Sequence, residues 1–296
     1  MRETASPSLA QRTTLRIGGQ AIAELVLENE DDLERLPLRL KELGGEPLVM
    51  GAGSNILAAD GDLPFVLVRP ALLGGPAIVG REDDLTLVRA GAGIPMPRLL
   101  RFCAANSLSG LEGLVGIPGS VGGAVAMNAG SFGTETCNHI TALLVFQDGV
   151  VSTVSRDALR CGYRSMGIGE KKSKFVVLEA IFGLTRAERN GINYRMRHNF
   201  FEKKSKQPVT AWSAGCVYKN PAPDMPAGKL LDMAGFRGKK LGGMAFSSRH
   251  ANFLINEGKG SADAALALMQ EAQAAVRQRF GMELEPEVRI VPCLLP

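Results

Sequence analysis

The sequence predicts an α+β protein of two domains, and three observations carry that expectation. The first half alternates short apolar strands with glycine-rich turns and only occasional helices. Near residues 184–206 the composition turns basic and polar, as a join between domains does. Beyond that stretch, a capped amphipathic helix around 261–281 opens a different pattern.

Taken in order, AIAELVLE at 21–28 reads as a strand, and Leu33, Leu36, Leu40 and Leu43 recur at helical spacing. Pro37 falls inside that helix, which is expected to begin late or to kink. PLVM at 47–50 is a short strand running directly into GAGSN. Further strands are expected at PFVLV (64–68) and LTLVRA (85–90), with a helix over about 96–106. After the densest glycine tract, at 110–133, strands resume through TALLVFQDGVVSTVS and FVVLEAIFGL. Ser261 caps a helix whose inward face is Ala265, Met269, Ala272, Val276 and Phe280, and Gly281 stops it. ELEPEVRIVP closes the chain as a strand carrying charges among apolar residues.

Composition excludes several functional classes. A net charge of +4 and only one Trp and three Tyr do not describe a nucleic-acid-binding surface. Five scattered cysteines (Cys103, Cys137, Cys161, Cys216, Cys293) without a C-x-x-C pair suggest neither a disulfide framework nor a metal site. A reducing compartment is the simpler expectation. The opening MRETASPSLAQRT lacks the apolar core of a signal peptide, and no apolar run is long enough to span a bilayer. These features describe a soluble, cytoplasmic protein with no protein partner evident.

Glycine, at 35 residues, is the outlier against an average usage of about 7%. GAGSN at 51–55 is a strand-exit turn whose small residues allow backbone N–H groups to converge on phosphate, or simply form a loop. GLEGLVGIPGSVGGAVAMNAGSFG at 110–133 is more specific, because so long a stretch with few polar side chains must still satisfy its backbone groups. Wrapping a diphosphate or flavin is one solution, and a tightly packed turn region without ligand is the other.

GAGSN, GLEGLVGIPGSVGGAVAMNAG, CGYRSMGI, SAGCVYKNP, AGKLLDMAG, SSRHANFLIN and LEPEVRI follow one another in an order that resembles UDP-N-acetylenolpyruvoylglucosamine reductases. The resemblance runs from about Thr13 to Val291. It implies a two-subdomain FAD-binding domain of the vanillyl-alcohol-oxidase type at 14–188 and a smaller α+β substrate domain at 189–296. The implied reaction is reduction of UDP-N-acetylglucosamine enolpyruvate to UDP-N-acetylmuramate, a step of peptidoglycan precursor synthesis. Hydride passes from NADPH by way of FAD to the terminal carbon of the double bond. An FAD-dependent oxidase of the same fold and a non-catalytic UDP-sugar-binding derivative are the alternative readings.

By the same resemblance, Gly51, Ala52, Gly53, Ser54 and Asn55 hold FAD together with Gly116, Ile117, Pro118, Gly119, Ser120, Gly122, Gly123, Ala124, Asn128, Ala129 and Gly130. His139, His198 and His250 lie outside both glycine motifs, so non-covalent FAD is expected. Arg164 matches the family's catalytic arginine, with Tyr163 beside it as a substrate or packing neighbour. Glu287 matches the glutamate that assists enol protonation, where the residues alone read as a surface carboxylate paired with Arg289. Cys216 stands where many relatives carry the proton-donating serine. A thiol with a usual pKa of about 8.5 is mostly protonated near pH 7, so the role survives the change chemically. Lys219, Asn220 and Lys229 are implied contacts to the nucleotide sugar. Arg195, Arg197, Lys203, Lys204 and Lys206 either attract diphosphate or form a solvated face. The interval from Arg164 to Ser213 holds only Tyr194, which suggests the compact subgroup without an additional substrate-closing loop.

Overall fold

The computed structural model describes residues 1–71, 74–169 and 175–292; Cys293 and part of the interval after Arg164 lie outside them. The chain divides into two units. The first comprises residues 1–5, 23–52 and 65–202, and the second 6–22, 53–64 and 203–296. This division differs from a cut at 188/189: the second unit also draws in two early segments, and the first extends to Glu202.

Among the described residues, two larger sheets build most of the first unit, beside two small hairpins. One has the strand order Arg2–Ala5, Gln20–Leu27, Asp62–Pro70, Glu46–Val49. The helix Glu30–Leu43 packs Leu33 and Leu36 against Leu25, Leu27, Val66 and Val68. It starts where Asn29 caps the Asp32 N–H (3.1 Å), with Glu30, Asp31 and Asp32 in its first turn, and it continues through Pro37. The expected late start does not occur, because the cap and the acidic turn fix the beginning upstream of the proline.

The other sheet runs Val150–Ser155, Ile140–Gln147, Val176–Arg186, Leu85–Gly91, Ala77–Glu82. Its buried face packs Val88, Ala90, Leu143 and Phe182 on Leu99 of the helix Met96–Ala105 and on Val121 and Val125 of the short helix Val121–Ala126. The basic stretch, which reads as a join, is an 18-residue helix, Arg189–Lys206. Its mostly polar sequence carries no apolar stripe to announce it.

The second unit has a sheet ordered Trp212–Cys216, Phe253–Asn256, Met244–Phe246, Lys240–Leu241. The helix Ala262–Phe280 covers its core through Ala265, Met269, Ala272 and Val276; Ser261 caps it and Gly281 ends it in the left-handed conformation. Early segments belong to this unit through specific ties. Asn256 donates to the carbonyls of Leu15 (3.1 Å) and Arg16 (3.2 Å), Asp60 accepts from the Ala262 N–H (2.8 Å), and Ile56–Ala58 pairs in parallel with Arg289–Val291.

The structure also corrects the expectation that the cysteines form no disulfide. Cys137 and Cys161, 24 residues apart, are joined by a disulfide with their Cα atoms 6.2 Å apart. No local spacing rule announces the pair, because the packing of separate segments brings the two together.

Candidate active site

The glycine-rich tract does not form one long loop. It folds into a turn at Glu112–Leu114, a helix at Val121–Ala126 and a hairpin of Gly130–Ser131 with Thr134–Glu135. Much of its backbone is satisfied internally. The N–H of Ile117 donates to Leu114 O, Gly122 to Ala92 O, Ala124 to Ser120 O, Asn128 to Val125 O and Ala129 to Ala124 O. Gly123 donates to Ser120 Oγ (3.3 Å). These groups are therefore committed to protein acceptors, so backbone satisfaction alone does not call for a ligand here. What the glycines supply is close approach. A Cβ at Gly51 would stand 2.3 Å from Ser120 Oγ, so the GAGSN turn presses directly on the start of the Val121–Ala126 helix. Gly116 and Gly119 take positive φ values of 75° and 137°. If a pyrophosphate binds at these turns, Gly51, Ala52, Gly116, Pro118, Gly119 and Ser120 are the residues of the first unit that would hold it.

Glu112 anchors the start of this tract. Its buried carboxylate accepts from Gly110 N–H (2.7 Å), Ser109 Oγ (2.7 Å) and the Arg195 guanidinium (2.6 Å at Nη2), while Asn199 donates to its carbonyl (3.4 Å). Those hydrogen bonds hold the Glu112 carboxyl below its ordinary range although burial pushes the other way. Arg195 is thus a tether between the helix Arg189–Lys206 and the tract. His139, outside the motif in sequence, lies against Gly110, and burial lowers its pKa while Glu112 opposes the shift. Tyr194 is exposed and stacks on His198.

Glu112→Gln is expected to raise the dissociation constant for FAD about tenfold or more, since it weakens charge-assisted hydrogen bonds worth about 1.5–3 kcal/mol each. The carboxylate's folded pKa is depressed, so this hold is complete above the unfolded value of about 4.3 and is lost as pH falls through the lower folded one. Flavin retention on gel filtration against pH checks both; unchanged retention in the variant would separate Glu112 from the cofactor.

Asn128 is fully buried, and its side chain acts inside the protein. Nδ2 donates to Glu135 Oε2 (2.9 Å) and Gly162 O (3.0 Å), and Oδ1 accepts from Cys137 N–H (2.9 Å). It fixes the tract to two other segments. Next to Gly162, Tyr163 and Arg164 form the turn of the hairpin Leu159–Gly162 with Ser165–Ile168. Arg164 has φ +54°, a conformation that a turn normally assigns to glycine or asparagine. Its Nη2 donates to Gly130 O (3.2 Å), and its guanidinium carbon lies 5.1 Å from the Tyr163 ring centroid. The hairpin therefore lays a cation along the end of the glycine tract.

In the second unit the segments that carry Cys216 and Glu287 are tied through the backbone of Val217. Val217 O accepts from Glu287 N–H (2.7 Å) and from Val288 N–H (3.3 Å). A register shift between Ser213 and Cys216, with Gly215 at φ +81°, re-aims the end of that strand. Asn252 clamps the adjoining backbone, with Oδ1 accepting from Tyr218 N–H (3.0 Å) and Nδ2 donating to Tyr218 O (2.8 Å). The sequence offers one signal for Asn252, its place two residues after His250 within SSRHANFLIN. Both Cys216 and Glu287 are half-buried. From the GAGSN motif, Gly53 fits tightly against Arg12 O, and Asn55 donates to Glu287 O (3.1 Å), so Gly53, Ser54 and Asn55 belong with this half.

Among the implied substrate contacts, Lys219 pairs with Glu285 (2.5 Å) and Asn220 accepts from Ala227 N–H (3.0 Å), ordering the approach to the helix Ala227–Met233. Lys229 is exposed on that helix. Among the described residues no group of three His, Cys, Asp or Glu side chains is placed to hold a metal, and no helix is long and apolar enough to cross a membrane.

A strand-exit glycine turn against a glycine-rich tract, with the Arg164 cation at the end of that tract, is an arrangement that a flavin-binding oxidoreductase would use. Residues 22–155 match an FAD-binding domain, and residues 207–291 match the C-terminal domain of UDP-N-acetylenolpyruvoylglucosamine reductase. The chain belongs to the UDP-N-acetylenolpyruvoylglucosamine reductase family. It is 51% identical to the reductase of Nitratidesulfovibrio vulgaris, over 97% of this chain and 98% of that one. With the reductase of Oleidesulfovibrio alaskensis it shares 47% identity over 97% of each. The crystal structure of the Thermus caldophilus reductase superposes with a TM-score of 0.81 at 32% identity, covering 99% of this chain and all of that one.

Proposed function

We propose that this protein reduces UDP-N-acetylglucosamine enolpyruvate to UDP-N-acetylmuramate in the cytoplasm, with NADPH as reductant and FAD bound non-covalently. The observation that supports this reading is the backbone tie between Val217, the neighbour of Cys216, and Glu287, which brings the segments carrying the proposed proton donor and carboxylate side by side. Bound FAD supplies the hydride relay between NADPH and the terminal carbon of the double bond. The chain's own residues do the rest. Arg164 holds the substrate carboxylate and offsets the negative charge that develops there when hydride arrives. Glu287 stabilises the resulting enol, and Cys216 Sγ delivers a proton to the carbon bearing the carboxylate, regaining one from solvent afterwards. Lys219, Asn220, Lys229 and Tyr163 contact the nucleotide sugar. One proton and one hydride together complete reduction of the double bond.

The test is an anaerobic absorbance trace of the flavin-loaded protein. NADPH should bleach it, and the enolpyruvyl substrate should restore its colour. Recovery only with oxygen would sink the substrate assignment. Acid precipitation should leave all flavin in the supernatant; flavin in the pellet would overturn non-covalent binding.

A further inference from the structure

The disulfide among the described residues lies where it can govern the hairpin that carries Arg164. Cys137 is fully buried in the turn Thr136–His139, and Cys161 is half-buried on the strand Leu159–Gly162. Asn128 links the same two segments in parallel, through Cys137 N–H and Gly162 O. The hairpin Leu159–Gly162 with Ser165–Ile168 forms a separate two-stranded sheet. So small a sheet is marginal by itself and depends on what ties it down. Leu159, Met166 and Ile168 pack it on the core, and its ties across to the glycine tract and the turn Thr136–His139 include the sulfur bridge, Asn128 and the Arg164 contact to Gly130.

We propose that Cys137–Cys161 is a thiol–disulfide exchange site for low-molecular-weight thiols and disulfides, and that its state sets how firmly Arg164 is held against the glycine tract. The effect on turnover rests on the reading of Arg164 as the carboxylate-binding residue. A small thiolate attacks Cys161 Sγ, the more accessible sulfur; the S–S bond breaks, and Cys137 Sγ leaves as thiolate and takes a proton. A second thiolate attacks the outer sulfur of the mixed disulfide, releasing Cys161 and a small-molecule disulfide. In sum, the protein disulfide and two thiols give the protein dithiol and one small disulfide. The reverse, with the small disulfide as oxidant, forms the bond. In a thiol-rich compartment such bonds are rarely structural and more often transient, which suits a regulatory site.

The experiment uses the flavin-loaded full chain equilibrated with glutathione or with glutathione disulfide. Acid quenching, alkylation and peptide mapping report each cysteine, and the two half-reactions are timed separately. Cys103 is buried with its thiol pushed up to about 12, and it serves as an unreactive internal reference. Reduction should slow flavin reoxidation by the enolpyruvyl substrate by about tenfold, the penalty of a loosened catalytic geometry, and leave bleaching by NADPH unchanged. Hydrogen exchange over 159–168 should rise on reduction in the wild-type chain. The C137S/C161S variant should react at the reduced rate and ignore glutathione disulfide. Both cysteines should alkylate after glutathione and neither after glutathione disulfide; the same alkylation pattern in the two conditions would overturn the site, and so would equal reoxidation rates in both states. A double variant that still responds would place the effect on Cys216 and overturn the proposal as well. If Arg164→Met instead retains full turnover, the Arg164 reading fails, while alkylation and hydrogen exchange still decide whether the exchange site exists.

Discussion

Cys216→Ala should leave bleaching by NADPH intact and slow flavin reoxidation by the enolpyruvyl substrate by about 10²–10⁴-fold, the usual worth of a positioned general acid. The split between half-reactions is the informative part, because hydride uptake from NADPH requires no proton from this side chain. Cys216 is half-buried at the end of a strand whose register shifts just before it, and its neighbour Val217 is fastened by Asn252 and by Glu287. Truncation to alanine removes one sulfur atom from a position held by backbone bonds, so the segment should keep its shape. Cys216→Ser should retain appreciable activity, since a hydroxyl reaches nearly the same point. Its lower acidity makes it the slower donor whenever proton transfer limits the rate. Stopped-flow absorbance on the two variants checks both statements. Equal slowing of both half-reactions in the alanine variant would point to a disturbed fold and remove the proton-donor assignment.

Legibility in the sequence followed the range of the interaction that fixes each feature. The helix Ala262–Phe280 was readable to the residue because Ser261, the apolar stripe and Gly281 are all local signals. The helix Arg189–Lys206 was not, because its single fully buried apolar residue, Ile192, marks no periodic face. The glycine tract is legible from composition alone, but where its N–H groups go is not: they are used largely by Ala92, Leu114, Ser120 and other residues of the chain. The candidate catalytic residues were legible only through motif likeness, since nothing near Glu287 in sequence says that its N–H meets the carbonyl of Val217. Asn128, Glu112 and Asn252 show the same limit. Each is a polar side chain whose task is to bind backbone from a distant segment, and neither periodicity nor spacing encodes that task. The Cys137–Cys161 bridge belongs with them, as a contact made by topology alone.

Arg164→Gly should separate stability from activity more sharply than any other single change in this protein. The turn Tyr163–Arg164 has positive φ at Arg164 and not at Tyr163, a geometry whose second position favours glycine. A side chain there costs about 1–2 kcal/mol, and glycine relieves it at the expense of about 0.5–1 kcal/mol of added freedom in the unfolded chain. The variant should therefore melt at the same temperature as the parent or a few degrees higher, despite losing the bond to Gly130 O. Its reoxidation by the enolpyruvyl substrate should fall by about 10²–10³-fold, the loss expected when one preorganised donor to a developing oxyanion is removed. Arg164→Lys keeps the charge without the planar fork and should fall between the two in rate, with the backbone strain retained. Calorimetry alongside single-turnover kinetics decides the matter. Retained activity in the glycine variant would remove Arg164 from the chemistry; a large drop in melting temperature would mean that the guanidinium contact, and not the backbone preference, dominates the turn. The predicted pair, an unchanged melt and a lost half-reaction, is what a strained residue kept for function looks like.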